Sequence, residues 1–298
     1  MLRMSLVALT LACTAVPALA QYNPQAAVNE PEATHREKRR RADGSVYYES
    51  VRTKARGDQY GNAAGSQYDL AVDGAFSGKT IVVLHLYTGE GFDFHLPRAA
   101  LKQKGFSVYR YSNGAPTPEV LAADLKKACQ FWLISDSRRH LSAKHIAVIK
   151  RFFQSGRGVY IWGDNQPYYA DANAVAQALL GVTMKGNLMG NKVVGISKRG
   201  RAGVLPKHLL TTGLAHLYEG ITIATIQPNQ TLTPLIYGSA NNLVAAFYDK
   251  GGKRAILDGG FTRLYLRWDT AGTARYVKNA AAWLVNVERH GYKKLARQ

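Results

Sequence analysis

Four short polar stretches carry the side chains of this chain that could do chemistry. They are Thr88-Gly89-Glu90-Gly91-Phe92-Asp93-Phe94-His95, Ser135-Asp136, Gly163-Asp164-Asn165-Gln166 with Tyr168, Tyr169 and Asp171 behind it, and Asp258-Gly259-Gly260-Phe261-Thr262-Arg263. Each follows an apolar run of strand length. Carboxylates beside a histidine suit proton transfer, with Asp164, Asp258 or Glu90 as acid or base and His95 as partner. Carboxylates, amides and rings together suit a polyhydroxylated ligand. Asp136, Asp164, Asn165, Gln166, Asp258 and Arg263 would then bond hydroxyls while Tyr168 covers an apolar sugar face. Asp164 and Asp258 also have a plainer use, accepting loop amides or capping the next helix.

The elements that must position these groups are legible from Thr80 onward. Ile81-Val82-Val83-Leu84-His85-Leu86-Tyr87 reads as a strand covered on both faces. A helix from about Leu96 to Lys104 follows, ended by Gly105, and Phe106 to Tyr111 is a second strand. Thr117-Pro118-Glu119 caps a helix with Val120, Leu121, Leu125 and Ala128 on one face. Gln130 to Ile134 is a third strand, Ser142 caps a helix striped by Ile146, Ile149, Phe152 and Phe153, and Val159 to Trp162 is a fourth strand. This β-α-β-α-β-α-β order predicts an α/β fold with a doubly wound, mostly parallel sheet. Such a sheet binds ligands outside the carboxyl ends of its strands, where all four polar stretches fall.

Asn173 to Leu180 makes another helix, after which the rhythm changes. Residues 182–250 read as a β-rich excursion joined by Gly, Asn and Pro turns. Arg254 to Leu257 returns as a strand, and Thr270 opens a last amphipathic helix to about Val287, leaving 289–298 as a basic tail. Residues 21–78 lack sustained periodicity and read as a flexible leader, carrying the run His35-Arg36-Glu37-Lys38-Arg39-Arg40-Arg41.

Residues 1–20 read as a signal peptide: Arg3, then the apolar Ser5 to Val16, then Ala18-Leu19-Ala20 before Gln21. A lipoprotein signal ending at Cys13 is the other reading, against which Thr10 stands where Leu is usual. The expected product is an exported protein, periplasmic or secreted, with no transmembrane segment after cleavage. It keeps Cys129 as its one cysteine, so no internal disulfide can form. The formal charge of +19 over 298 residues favours anionic partners, and the leader is nearly balanced, so the excess sits on the folded part. An anionic envelope surface fits that charge; nucleic acid is disfavoured because no recognised module accompanies the Arg run.

Several motifs fail on inspection. Gly74-Ala75-Phe76-Ser77-Gly78-Lys79-Thr80 is one residue short of a phosphate loop and precedes a strand, whereas a phosphate loop follows one. Asp269-Thr270-Ala271-Gly272 looks like a GTPase tetrapeptide but reads better as a helix cap. His140 and His145 do not share a helical face, so no metal pair is expected, and no cofactor motif is found. No Gly-x-Ser-x-Gly elbow occurs.

The element order, with Phe131-Trp132-Leu133-Ile134-Ser135-Asp136 and Ser155-Gly156-Arg157-Gly158-Val159-Tyr160-Ile161-Trp162, resembles the class I glutamine amidotransferase-like superfamily. The pattern is most similar to the trehalose-utilisation (ThuA-like) group. Gly251-Gly252-Lys253-Arg254-Ala255-Ile256-Leu257-Asp258-Gly259-Gly260, with the helix ending Ala282-Trp283-Leu284-Val285, resembles that group's closing strand and helix, so the likeness spans residues 79–288. It implies a flavodoxin-like, amidotransferase-like sheet. In amidotransferases the fourth strand ends in a Cys nucleophile, and a His comes from late in the domain. Here those positions read Trp162-Gly163-Asp164-Asn165 and Leu257-Asp258-Gly259-Gly260, and Cys129 lies at the wrong end of its strand. Acyl transfer by thiolate needs a nucleophile beside a base, so no glutaminase activity is expected.

Three functions follow. The leading expectation is a non-catalytic exported protein that binds a carbohydrate or envelope fragment at the strand ends. A carboxylate-dependent hydrolase or isomerase acting on a sugar-like substrate is the second. A basic interaction protein docking on anionic envelope polymers is the third.

Overall fold

Alternation along the central strands divides the protein into two cores. The computed structural model describes residues 22–23, 32–198 and 201–287; the signal peptide, the Cys13 reading and the basic tail lie outside the described residues. In β3 (Thr80–His85), β5 (Gln130–Ile134) and β6 (Gly158–Trp162), the side chains of Ile81, Val83, Trp132, Ile134, Tyr160 and Trp162 enter one core. Their neighbours Val82, Leu84, Phe131, Leu133, Val159 and Ile161 enter the other. A strand buried on both faces needs apolar residues at every position, which is why these runs are unbroken.

Helices supply the two covers. α1 (His95–Gln103) and α5 (Thr273–Leu284) pack together over the first core through Ala100, Leu101, Val277, Ala281 and Leu284. On the other face lie α2 (Pro118–Lys127), α3 (Ala143–Gln154) and α4 (Ala170–Leu180). Ser142 caps α3 as expected, and His145 completes a reciprocal box by accepting from the Ser142 N–H. α5 departs from expectation at its start, because its cap is Gly272 in the left-handed region and not Thr270. A Cβ there would stand 2.7 Å from the His216 carbonyl oxygen, so the close approach requires glycine.

With β4 (Ser107–Ser112) and β14 (Lys253–Asp258), the sheet runs β4-β3-β5-β6-β14 in parallel. It then continues antiparallel through β13 (Leu243–Lys250), β12 (Thr233–Tyr237) and β9 (Gly203–Val204), eight strands in all. The fold is therefore α/β with a large, mostly parallel sheet. The excursion between α4 and β14 both lengthens this sheet and builds two small sheets beside it. β7 (Met184–Met189) pairs with β11 (Thr222–Ile226), and β8 (Val193–Val194) pairs with β10 (Leu217–Tyr218).

The leader is the main correction. Residues 32–54 form an antiparallel hairpin of β1 (Glu32–Arg40) and β2 (Val46–Lys54). Residues 55–78 are packed onto the domain, with Tyr68, Leu70, Ala71 and Phe76 buried. At their centre Asp69 is fully buried and meets three cations: Arg275 Nε at 2.7 Å, Lys278 Nζ at 2.6 Å and Lys104 Nζ at 2.9 Å. Polar composition reads as flexible, but here one carboxylate anchors the segment to α1 and α5. Among the described residues no helix is long and apolar enough to cross a membrane.

Candidate functional site

The parallel strands β3, β6 and β14 end beside one another, and their loops build a cluster of rings. Tyr87, after β3, lies 5.1 Å from Tyr168, in the loop after β6, and 5.1 Å from Phe261, after β14. Tyr265 stacks on Phe92 at 4.3 Å and stands 6.3 Å from Tyr87. Phe261 and Phe92 are buried, whereas Tyr87, Tyr168 and Tyr265 are half-buried and form a rim. The Tyr265 hydroxyl donates to Glu90 Oε2 at 3.0 Å. Burial, then the neighbouring Tyr87 and Glu90, raises the Tyr265 phenol well above its ordinary value.

Beneath the rim, Asp164 is closed off from solvent. Its Oδ1 accepts from the Asn165 N–H at 2.8 Å and the Thr222 hydroxyl at 3.0 Å, while Oδ2 accepts from the Thr262 N–H at 2.8 Å. These three donors favour the anion, but burial outweighs them and lifts the carboxyl to about 7. Asp164 thus ties the β6 loop to β11 and to the turn after β14. Its oxygens are taken up inside the protein, where an open cleft was expected.

Asp258 and Arg263 are corrected for the same reason. Asp258 Oδ1 accepts from Arg263 Nη2 at 2.9 Å and the Gly260 N–H at 3.1 Å, and Oδ2 accepts from the Tyr276 hydroxyl at 2.9 Å. Arg263 further donates to the carbonyls of Gly260 and Glu219, lying over the Trp162 and Tyr276 rings. Both side chains have no solvent exposure. Burial pushes the Asp258 carboxyl upward, and the facing guanidinium opposes it. Burial also pulls Arg263 down, but the Asp258 carboxylate prevails and holds the guanidinium charged. The pair is an internal brace filling the space at the end of β14.

The remaining expected residues scatter. His95 is exposed and pairs with Asp93, its near neighbour, so it joins neither buried carboxylate. Glu90 is exposed and serves Tyr265. Asp136 is partly exposed, pairing with His140 Nε2 at 3.0 Å and accepting from the Ser137 N–H. Asn165 is half-buried and Gln166 exposed, in a loop passing through a cis Gln166–Pro167 bond. Tyr168 and Glu90 are thus the expected residues found at the rim, while the Asn165 amide donates to the Gln166 carbonyl within its own loop. Tyr265 and Thr222 were missed; Tyr265 sits past a 3-10 turn with no periodic pattern, and Thr222 lies in the excursion.

The elbow after β6 also leaves little room for a nucleophile. A Cβ on Gly163 would stand 2.7 Å from Met184 Sδ and 3.1 Å from Tyr169 Cβ. Elsewhere, a cleft of about 530 Å³ opens between residues 58–66 and the start of α5, walled in part by Trp268, Thr273 and Lys278.

No protein-family model matches this chain, and no curated protein matches it. Solved structures with a similar backbone include the exo-β-1,4-mannosidase Op5Man5 from Opitutaceae bacterium strain TAV5, at 9% identity and a TM-score of 0.40. That match takes in 71% of this chain and 36% of the mannosidase, so the chain spans about a third of that protein's length. Another is a ThuA-like protein from Parabacteroides merdae, at 11% identity and a TM-score of 0.44, covering 70% of this chain and 90% of that one. A ThuA-like protein is therefore among the structural neighbours, with no match at the level of sequence beside it.

Proposed function

We propose that this chain is an exported binding protein on an amidotransferase-like scaffold, taking a carbohydrate or other polyhydroxylated envelope fragment at the strand ends. One observation carries the reading. Tyr87, Tyr168 and Tyr265 arrive from three separate loops, and each offers a partly open ring at the same edge of the sheet. Rings of this kind cover the apolar faces of sugars; Glu90 bonds Tyr265 at the rim, and Asn165 and Gln166 lie in the loop that carries Tyr168.

A binding role without catalysis is supported by what lies below. A general acid or base must reach the proton it moves. Asp164 and Asp258 spend their oxygens on internal donors and are fully buried, which leaves the hydrolase reading with Glu90 alone, held by Tyr265 while His95 pairs with Asp93.

The test is a panel of neutral and acidic oligosaccharides screened by thermal shift, with hits followed by calorimetry. Tyr168→Ala should weaken any hit at least about tenfold, the loss of one stacking ring, while leaving the melting temperature nearly unchanged. No response to any glycan, or equal affinity in the variant, would overturn the proposal. Measurable glutamine hydrolysis by the purified protein would overturn its non-catalytic part.

A further inference from the structure

The β1–β2 hairpin sorts its charges by face. Directly paired residues in an antiparallel ladder point to the same side, and alternate residues along each strand share that side. The register pairs Arg36 with Ser50, Lys38 with Tyr48 and Arg40 with Val46, and places Arg52 and Lys54 opposite Thr34 and Glu32. Arg36, Lys38, Arg40, Arg52 and Lys54 therefore belong to one face, where the single acidic position is Glu32 at the strand's start.

The opposite face is neutralised from within. Arg39 reaches Glu37 at 2.8 Å and Glu49 at 3.1 Å, His35 meets Glu37 at 3.0 Å, and Arg41 covers the Tyr47 ring. Among the described residues, Arg36, Lys38 and Arg40 have no such ion pairs. Along the ladder Glu37 and Glu49 both fall on the opposite face, and only Glu32, at the start of β1, falls on the cationic one.

The ribbon also lacks a core of its own. Almost every residue from 35 to 54 is exposed, with Tyr48 at 64% and Val46 at 43% on the cationic face. A two-stranded hairpin alone is marginally stable in water, so an outside partner would complete it.

We propose that this face docks along an extended anionic glycan, a polysaccharide repeating a carboxylate, sulfate or phosphate. Alternate residues on a strand stand about 6.8 Å apart, which sets Arg36, Lys38 and Arg40 in a straight row. Such a row matches a polymer laid lengthwise, with Tyr48 packing on a sugar ring between charges. Single-stranded nucleic acid is recognised on several rings, and this face has only one. The site is separate from the aromatic rim, so each can fail alone.

The probe is heparin, titrated against the purified protein at roughly physiological salt. Arg36→Ser/Lys38→Ser/Arg40→Ser should bind at least about tenfold more weakly, with a shallower salt dependence, because three attractions are lost. Lys126→Ser/Lys127→Ser/Lys144→Ser removes equal charge from α2 and α3 and should bind within about twofold of the parent. Arg36→Lys/Arg40→Lys keeps the charge and should bind like the parent, and amide hydrogen exchange of residues 46–54 in the first serine triple should match the parent, which excludes hairpin unfolding as the cause. Equal weakening by both serine triples would reduce the effect to net charge and overturn the proposal. So would displacement of heparin by duplex DNA at matched charge, or a change in oligomeric state in the first triple.

Discussion

Arg263 Nη2 stands 2.9 Å from Asp258 Oδ1, both side chains sealed from solvent. A salt bridge this deep adds little net stability over an apolar pair, but removing one partner leaves the other charge buried and uncompensated. Arg263→Met should therefore destabilise the protein by about 3–5 kcal/mol in urea denaturation. Adding Asp258→Leu should recover a large part of that loss, since the stranded carboxylate goes with it. A single variant as stable as the parent would show that the pair is not a brace.

Asp69 makes a comparable prediction for the segment read as a leader. Asp69→Asn leaves Lys104, Lys278 and Arg275 facing one another without their shared anion. Residues 55–78 should loosen, and limited trypsin digestion should cut first at Arg56 while the parent is cut chiefly within the hairpin. Unchanged digestion would mean that Arg275, which also donates to the carbonyls of Ala63, Gly65 and Gly213, holds the segment by itself.

Why the sequence disclosed the sheet but not this anchoring follows from the range of the contacts. The runs at 81–87, 130–134 and 159–162 are apolar at nearly every position, so strand length and burial are visible locally. Buried residues between 55 and 78 follow no period, because they answer to partners far along the chain, as when the Leu70 N–H donates to Asn279 Oδ1. The site divides in the same way. Its position at the strand ends was legible from connectivity, but whether Asp164 faced solvent depended on Thr222 and Thr262, which no spacing linked to it.

Cys129 should behave as an inert thiol. It is buried before β5, and desolvation pushes its thiol up to about 12, so almost no thiolate exists at neutral pH. A chromogenic disulfide reagent should label no cysteine in the native protein and label Cys129 only in denaturant. If the exported form has lost Cys13 with its signal, the denatured protein should titrate one thiol. Rapid labelling under native conditions would contradict the packing around β5.

Two buried groups should bend the pH dependence of stability in opposite directions. Asp164 has its carboxyl raised from 3.8 to about 7 by burial, so between those values the folded chain keeps a proton that the unfolded chain has released. Its contribution is full below the unfolded value and is lost as pH rises toward 7, a swing on the order of 4 kcal/mol. His85 is lowered from 6.5 to about 4, first by burial and then by the Arg110 guanidinium, whose Nη1 lies 2.8 Å from Nδ1. Its contribution is full above the unfolded value and is lost as pH falls below it, by about 2 kcal/mol at pH 5. Because the slopes oppose each other, each must be read as the difference between parent and variant, from urea midpoints measured between pH 5 and 8. Relative to Asp164→Asn the parent should gain stability on acidification, and relative to His85→Gln it should lose it. Parallel curves for parent and Asp164→Asn would mean that the carboxylate is ionised in the fold at neutral pH, with its three donors prevailing over burial.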